Sequence, residues 1–170
     1  MKIIFLDIDG VLATVNEFFT NRTKFRKKHY VAERVKIPYP FNHGCVNVFN
    51  EILLKTDSEI VLSSDWRKFW TLDELNMIFR FNGVIKSPID VTEIDPVSMS
   101  WLEKNRANEI GKYLLNNREI KNWVAIDDLN MSEFMKLTND DDKMFVTEGI
   151  EGIKKSGLKD KIISKLNEQK

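Results

Sequence analysis

Asp7 and Asp9 stand one residue apart where the apolar run Ile3-Ile4-Phe5-Leu6 gives way to Gly10. A strand turns alternate side chains to one face, so both carboxylates project together while Ile8 packs the other way. Two carboxylates that close repel unless a proton or a metal ion sits between them. Two later apolar runs end in a similar way: Ile60-Val61-Leu62 leads into Ser63-Ser64-Asp65, and Trp123-Val124-Ala125-Ile126 leads into Asp127-Asp128. Buried strands of a parallel sheet read as short unbroken apolar runs, and ligands bind in the crevice beyond their carboxyl ends. Carboxylates and hydroxyls at three such ends therefore converge on one point, a pattern that points to phosphoryl transfer.

The elements that must position these groups alternate between strand and helix, which predicts an α/β fold with a mainly parallel central sheet flanked by helices. The first strand spans Lys2 to Ile8. Val48, Phe49, Ile52 and Leu53 form a helical stripe within Val46 to Lys55, leading into a strand from Glu59 to Ser63. Thr71 and Glu74 have capping-box spacing, and Gly83 is a helix stop, so a helix is expected from Thr71 to Phe81. Val84 to Lys86 reads as a strand and Asn105 to Leu115 as a helix, followed by the strand Trp123 to Ile126. A helix near Met131 to Leu137, a strand Met144 to Val146 and a terminal helix Leu158 to Asn167 complete the reading.

Composition narrows the class of protein. The 170 residues are 42% hydrophobic and 31% charged, which suits one globular domain covering 1–170. Lys plus Arg and Asp plus Glu both number 26, so no global field favours nucleic acid or a membrane. Cys45 is the single cysteine, which excludes an internal disulfide, fits a reducing compartment and reads as buried and inert. No secretory stretch opens the chain, and no run approaches the roughly 18 apolar residues of a membrane span, so a cytoplasmic location is expected. His29 and His43 have no metal-ligand spacing with each other or with Cys45. Asp140-Asp141-Asp142 reads as a solvated loop.

At Asp7-Ile8-Asp9-Gly10-Val11-Leu12 the chain resembles the haloacid dehalogenase (HAD) superfamily, whose first motif is an apolar strand ending DxDGxx. Ser63 matches the second motif, and Asp127-Asp128 the acidic fourth. The third, a basic residue at the start of a helix, is best met by Arg106, with Lys104 as competitor. Ser63-Ser64-Asp65-Trp66-Arg67 together with Arg106 to Leu115 looks like the compact phosphatase domains of nucleic-acid repair proteins.

The resemblance implies a HAD-like Rossmannoid fold and a phosphatase. It casts Asp7 as the nucleophile that forms an aspartyl-phosphate, and Asp9 as the acid and base, with a raised pKa. Mg²⁺ would be held by Asp7, the Asp9 backbone carbonyl and a carboxylate of Asp127 or Asp128, offsetting repulsion between two anions. Ser63, Ser64 and neighbouring backbone N–H groups would hold phosphoryl oxygens, with Arg106 adding fixed positive charge. Arg67 could reach the phosphate from just past the second motif or pair with a surface carboxylate, the favoured reading, and Trp66 is expected to serve packing rather than stacking.

Residues 13–45 read as a small cap-like insertion after the first strand. It holds seven basic residues (Arg22, Lys24, Arg26, Lys27, Lys28, Arg34, Lys36) against Glu17 and Glu33, a local excess of five positive charges. Interleaved with Phe25, His29 and Tyr30, that charge suits a nucleotide or a nucleic-acid terminal phosphate. A small phosphometabolite is the competing substrate, and a noncatalytic phosphate-binding module the competing function. No obligate protein partner is expected.

Overall fold

The computed structural model describes residues 1–15, 29–32, 35–94, 102–136 and 139–168. The chain opens with β1 (Lys2–Leu6), then a short antiparallel pair, β2 (His29–Tyr30) and β3 (Lys36–Ile37). After it come α1 (His43–Thr56), β4 (Glu59–Leu62), a 3-10 helix (Asp65–Lys68), α2 (Leu72–Phe81) and β5 (Asp90–Val91). α3 (Leu102–Asn116), β6 (Asn122–Asp127), α4 (Ser132–Met135), β7 (Met144–Val146) and α5 (Leu158–Asn167) follow. The five longer-range strands form one all-parallel sheet in the order β5-β4-β1-β6-β7. β1 lies at its centre, with Leu6 opposite Leu62 on one side and Ile126 on the other. The three polar strand ends are thus neighbours at one edge of the sheet.

Alternation along β1 builds two hydrophobic layers. Ile4 and Leu6 join Ile60, Leu62, Val124 and Ile126 beneath α1, α2 and α5, which contribute Phe49, Ile78 and Ile162. Ile3 and Phe5 face the other way, with Val61, Trp123 and Ala125, onto Ile110 of α3 and Met135 of α4. Both faces of the central strands are covered, which is why they read as unbroken apolar runs rather than alternating ones.

The helix from Thr71 takes the expected form: Thr71 caps α2, its hydroxyl accepting from the Glu74 N–H while the Glu74 carboxylate accepts from the Thr71 N–H. Val84 to Lys86 is not a strand. Gly83 turns the chain at φ +80°, and the Val84 N–H closes back onto the Phe79 carbonyl, so these residues end the helix. The edge strand comes later, at β5. α4 is confined to one turn, Ser132–Met135. No helix among the described residues is long and apolar enough to cross a membrane.

Of the insertion's seven basic residues, only Lys36 lies among the described residues, and Phe25 lies outside them. The described part is partly core: Val35, Ile37 and Phe41 are buried in the layer under α1 and α2. Tyr30 is exposed, with the Lys36 ammonium 4.7 Å from its ring centroid.

Candidate active site

The site starts where β1 runs out. The Asp7 N–H still donates to the Ile126 carbonyl at 3.0 Å, so Asp7 is held in register beside the end of β6. Gly10 then turns the chain at φ +72°, and a Cβ there would lie 2.3 Å from Asp128 Oδ2. Only glycine leaves room for that carboxylate. Asp7, Asp127 and Asp128 each offer an oxygen within 4.8 Å of the others, Asp7 and Asp127 buried and Asp128 exposed. Three close carboxylate oxygens are a donor set for a hard divalent cation.

Electrostatics agree with that reading. Burial and the neighbouring Asp7 push both Asp127 and Asp128 above the ordinary carboxylate range, against the pull of Arg106. Arg106 relieves only part of the charge. Its Nη1 donates to Asp127 Oδ2 at 2.8 Å and lies 3.5 Å from Asp7 Oδ1, while Nη2 reaches Asp65 Oδ1 at 3.4 Å. Burial works against the Arg106 charge, but Asp127, Asp7 and Asp65 outweigh it and hold the guanidinium above its usual value. Asp65 also pairs with Lys68 at 2.9 Å, so one guanidinium faces the three clustered carboxylates, an excess of negative charge that a bound metal ion would offset. Lys104 is exposed on α3, so of the two candidates only Arg106 meets the cluster.

Asp9 is held apart from the three-carboxylate cluster. Tyr39 Oη donates to its Oδ1 at 2.7 Å, and Trp66 Nε1 donates to its Oδ2 at 3.0 Å. Burial raises the Asp9 pKa to about 6, with Asp7 and Asp128 adding to the rise and the two hydrogen bonds opposing it. A carboxyl that exchanges its proton near neutrality suits general acid and base work. Tyr39 and Trp66 were not legible as site residues. The signals were slight: Tyr39 sits between Pro38 and Pro40, which stiffen its backbone, and Trp66 follows the second polar strand end.

The second strand end divides its labour. Ser63 is buried, its N–H donates to the Leu6 carbonyl, and its hydroxyl has no hydrogen-bond partner among the described residues. A buried hydroxyl without a partner is rare in a folded protein and marks a place for a ligand oxygen. Ser64 instead caps the 3-10 helix, its Oγ accepting from the Trp66 N–H at 3.4 Å. Arg67 corrects the expectation of a surface pair. It is buried, bonds the Glu109 carboxylate of α3, and donates to the carbonyls of Ser63, of Ser64 (2.6 Å) and of Thr92 (3.0 Å). It clamps the Ser63-Ser64 loop from behind. Cys45 is buried as expected, its Sγ 3.5 Å from the Glu151 carbonyl. Trp66 is buried as expected, but its indole also serves Asp9. In the Asp140 loop, Asp140 pairs with Lys143 at 2.5 Å.

Comparison with curated proteins and with solved structures gave no significant match. A family model does match, across residues 3–158, and it describes the HAD domain in Swiss Army Knife RNA repair proteins. That span includes every strand end described above, and it supports a phosphatase of the general HAD type. The match covers most of the chain, and the chain belongs to this HAD domain family.

Proposed function

We propose that this protein is a Mg²⁺-dependent phosphomonoester hydrolase that works through an aspartyl-phosphate, with a nucleotide or nucleic-acid terminal phosphate as substrate. The observation that carries the reading is the pairing of a three-carboxylate cluster with a separate, proton-exchanging Asp9 at the same strand end. Asp7 attacks phosphorus, and the bond to the leaving oxygen breaks as Asp9 gives that oxygen its proton. Asp9 then takes a proton from the water that attacks phosphorus, and Asp7 is released with inorganic phosphate. Ser63 and Arg106 bind phosphoryl oxygens and steady the charge that builds on them. Ser64 contributes through its backbone and its cap of the following turn.

Asp7, the Asp9 carbonyl and Asp128 would hold Mg²⁺, with Asp127 beside them. Both Asp127 oxygens already accept hydrogen bonds, from Arg106 and from the Leu129 N–H at 2.9 Å, whereas Asp128 is the exposed member of the pair. When bound, the ion neutralises the approach of one anion to another and polarises the phosphoryl group. The nucleic-acid substrate class is supported by the RNA repair proteins that name the family and by the basic excess of residues 13–45.

The test is phosphate release from nucleotides, 3′- and 5′-phosphorylated oligonucleotides, sugar phosphates and an aryl phosphate, with Mg²⁺ or EDTA. Metal-dependent release that ranks nucleic-acid ends first is expected. Release ranking sugar phosphates first would overturn the substrate class, and release indifferent to EDTA would overturn the metal dependence.

The pH profile supplies a sharper check. Asp9 must carry its proton in the first step, so kcat/KM should fall as pH rises through about 6. The Tyr39 hydrogen bond favours ionised Asp9, so Tyr39→Phe should raise the Asp9 pKa and move that limb to higher pH. A charge-assisted hydrogen bond of about 1.5 kcal/mol corresponds to roughly one pH unit. A limb that stayed in place or moved to lower pH would remove Asp9 from the acid role.

A further inference from the structure

An aromatic chain leads outward from Asp9. Trp66, bonded to Asp9 and buried, lies 4.8 Å from Trp70 between ring centroids, with the planes tilted by 36°. Trp70 is half-buried and meets Phe69 edge-on at 5.8 Å. Phe69 is 73% exposed, although a large apolar ring gains by leaving water. The backbone beneath these rings is fixed: the Phe69 and Trp70 N–H groups both donate to the Trp66 carbonyl, at 3.0 and 3.2 Å. Thr71 then caps α2 at once, so the two rings occupy a short junction between two helices. Exposure therefore rises step by step from Trp66 through Trp70 to Phe69.

We infer that Phe69 and Trp70 form the leaving-group subsite, a stacking platform for the nucleobase next to the scissile phosphate. The inference rests on the phosphatase reading above for the position of the phosphate. Asp9 protonates the leaving oxygen in that reading, so whatever is attached to that oxygen lies on the Asp9 side of the site. The chain of rings running from Asp9 meets it there. A π-face accepts every base, which suits recognition of an end without regard to sequence. A sugar phosphate has no flat group to place on Phe69. Fixing the rings on rigid backbone lowers the ordering cost of each binding event.

The experiment measures kcat/KM for a 3′-phosphorylated trinucleotide and for the same compound with an abasic terminal nucleoside, in wild type and in Phe69→Ala and Phe69→Tyr. The expected result is a base preference that shrinks roughly tenfold in Phe69→Ala, carried by KM, and returns in Phe69→Tyr. An unchanged preference in Phe69→Ala would overturn the platform while leaving the phosphatase reading intact. Equilibrium binding of the same two compounds to Asp7→Asn protein, with and without Phe69→Ala, separates the two ideas. A base preference in binding that depends on Phe69, where the wild type hydrolyses neither compound, would uphold the platform and sink the phosphatase reading. Equal binding of both compounds to Asp7→Asn protein would sink the platform directly.

Discussion

Asp7→Asn is expected to lower phosphate release by about 10⁴-fold or more, the scale seen when a covalent nucleophile is removed from a site that otherwise stays intact. The substitution keeps size and shape but removes the attacking charge. Asp7 lies in the ladder between β1 and β6, and its N–H bond to Ile126 does not involve the side chain, so the fold should persist. Removing one carboxylate from a cluster of three also relieves repulsion, and stability should hold or rise slightly. The prediction separates two mechanisms with the same products. Direct attack by water needs only a carboxylate base, whereas double displacement passes through an acyl phosphate on residue 7 itself. Borohydride added during turnover would reduce that acyl phosphate, leaving homoserine at position 7 for mass spectrometry to find. Full-rate release by Asp7→Asn, or wild-type turnover that never labels residue 7, would end the covalent reading.

The parts of this site that the sequence discloses are those carried by local pattern. β1, β4 and β6 each bury both faces, so their apolar runs and polar ends stand out, and Asp7, Asp9, Ser63, Asp127 and Asp128 follow from them. Arg106 needs only helical context and order along the chain. What stayed hidden depends on tertiary approach between distant residues. Tyr39 and Trp66 lie 30 and 57 residues from Asp9 in sequence, and nothing in residue type distinguishes a hydrogen-bonding indole from a packed one. β5 has two residues and cannot show a period, whereas Val84 to Lys86 has strand-like composition but forms a turn that closes onto Phe79. An arginine's type favours the surface, and nothing in sequence shows that Arg67 has a buried partner 42 residues away on another helix. Each miss concerns a side chain whose environment is set by the fold.

Arg67 and Glu109 carry the second large effect, on stability. Both side chains are nearly inaccessible, at 1% and 8%, so each charge is held by its partner rather than by water. Removing one leaves the other buried without its nearest counter-charge, a loss of about 3–5 kcal/mol. Arg67→Met should be the worse of the two single changes. It removes the nearest counter-charge of Glu109 and leaves the carbonyls of Ser63 and Thr92 without the guanidinium, while the Ser64 carbonyl keeps the N–H of residue 67. Glu109→Gln keeps the shape and a hydrogen-bond acceptor, so it should sit at the lower end of the range. Denaturant unfolding would show both as a reduced midpoint at unchanged slope. The double variant Arg67→Met with Glu109→Leu decides what the pair is for. An ion pair that only balances charge would be replaced by apolar side chains with most stability regained. Here the carbonyls of Ser63 and Thr92 still lack the guanidinium, so recovery should be partial, and the Ser63-Ser64 loop should lose its fixed position. Phosphate release should therefore stay well below wild type even where the folded fraction is complete. Full recovery of both stability and turnover would show that the clamp holds charge and nothing else.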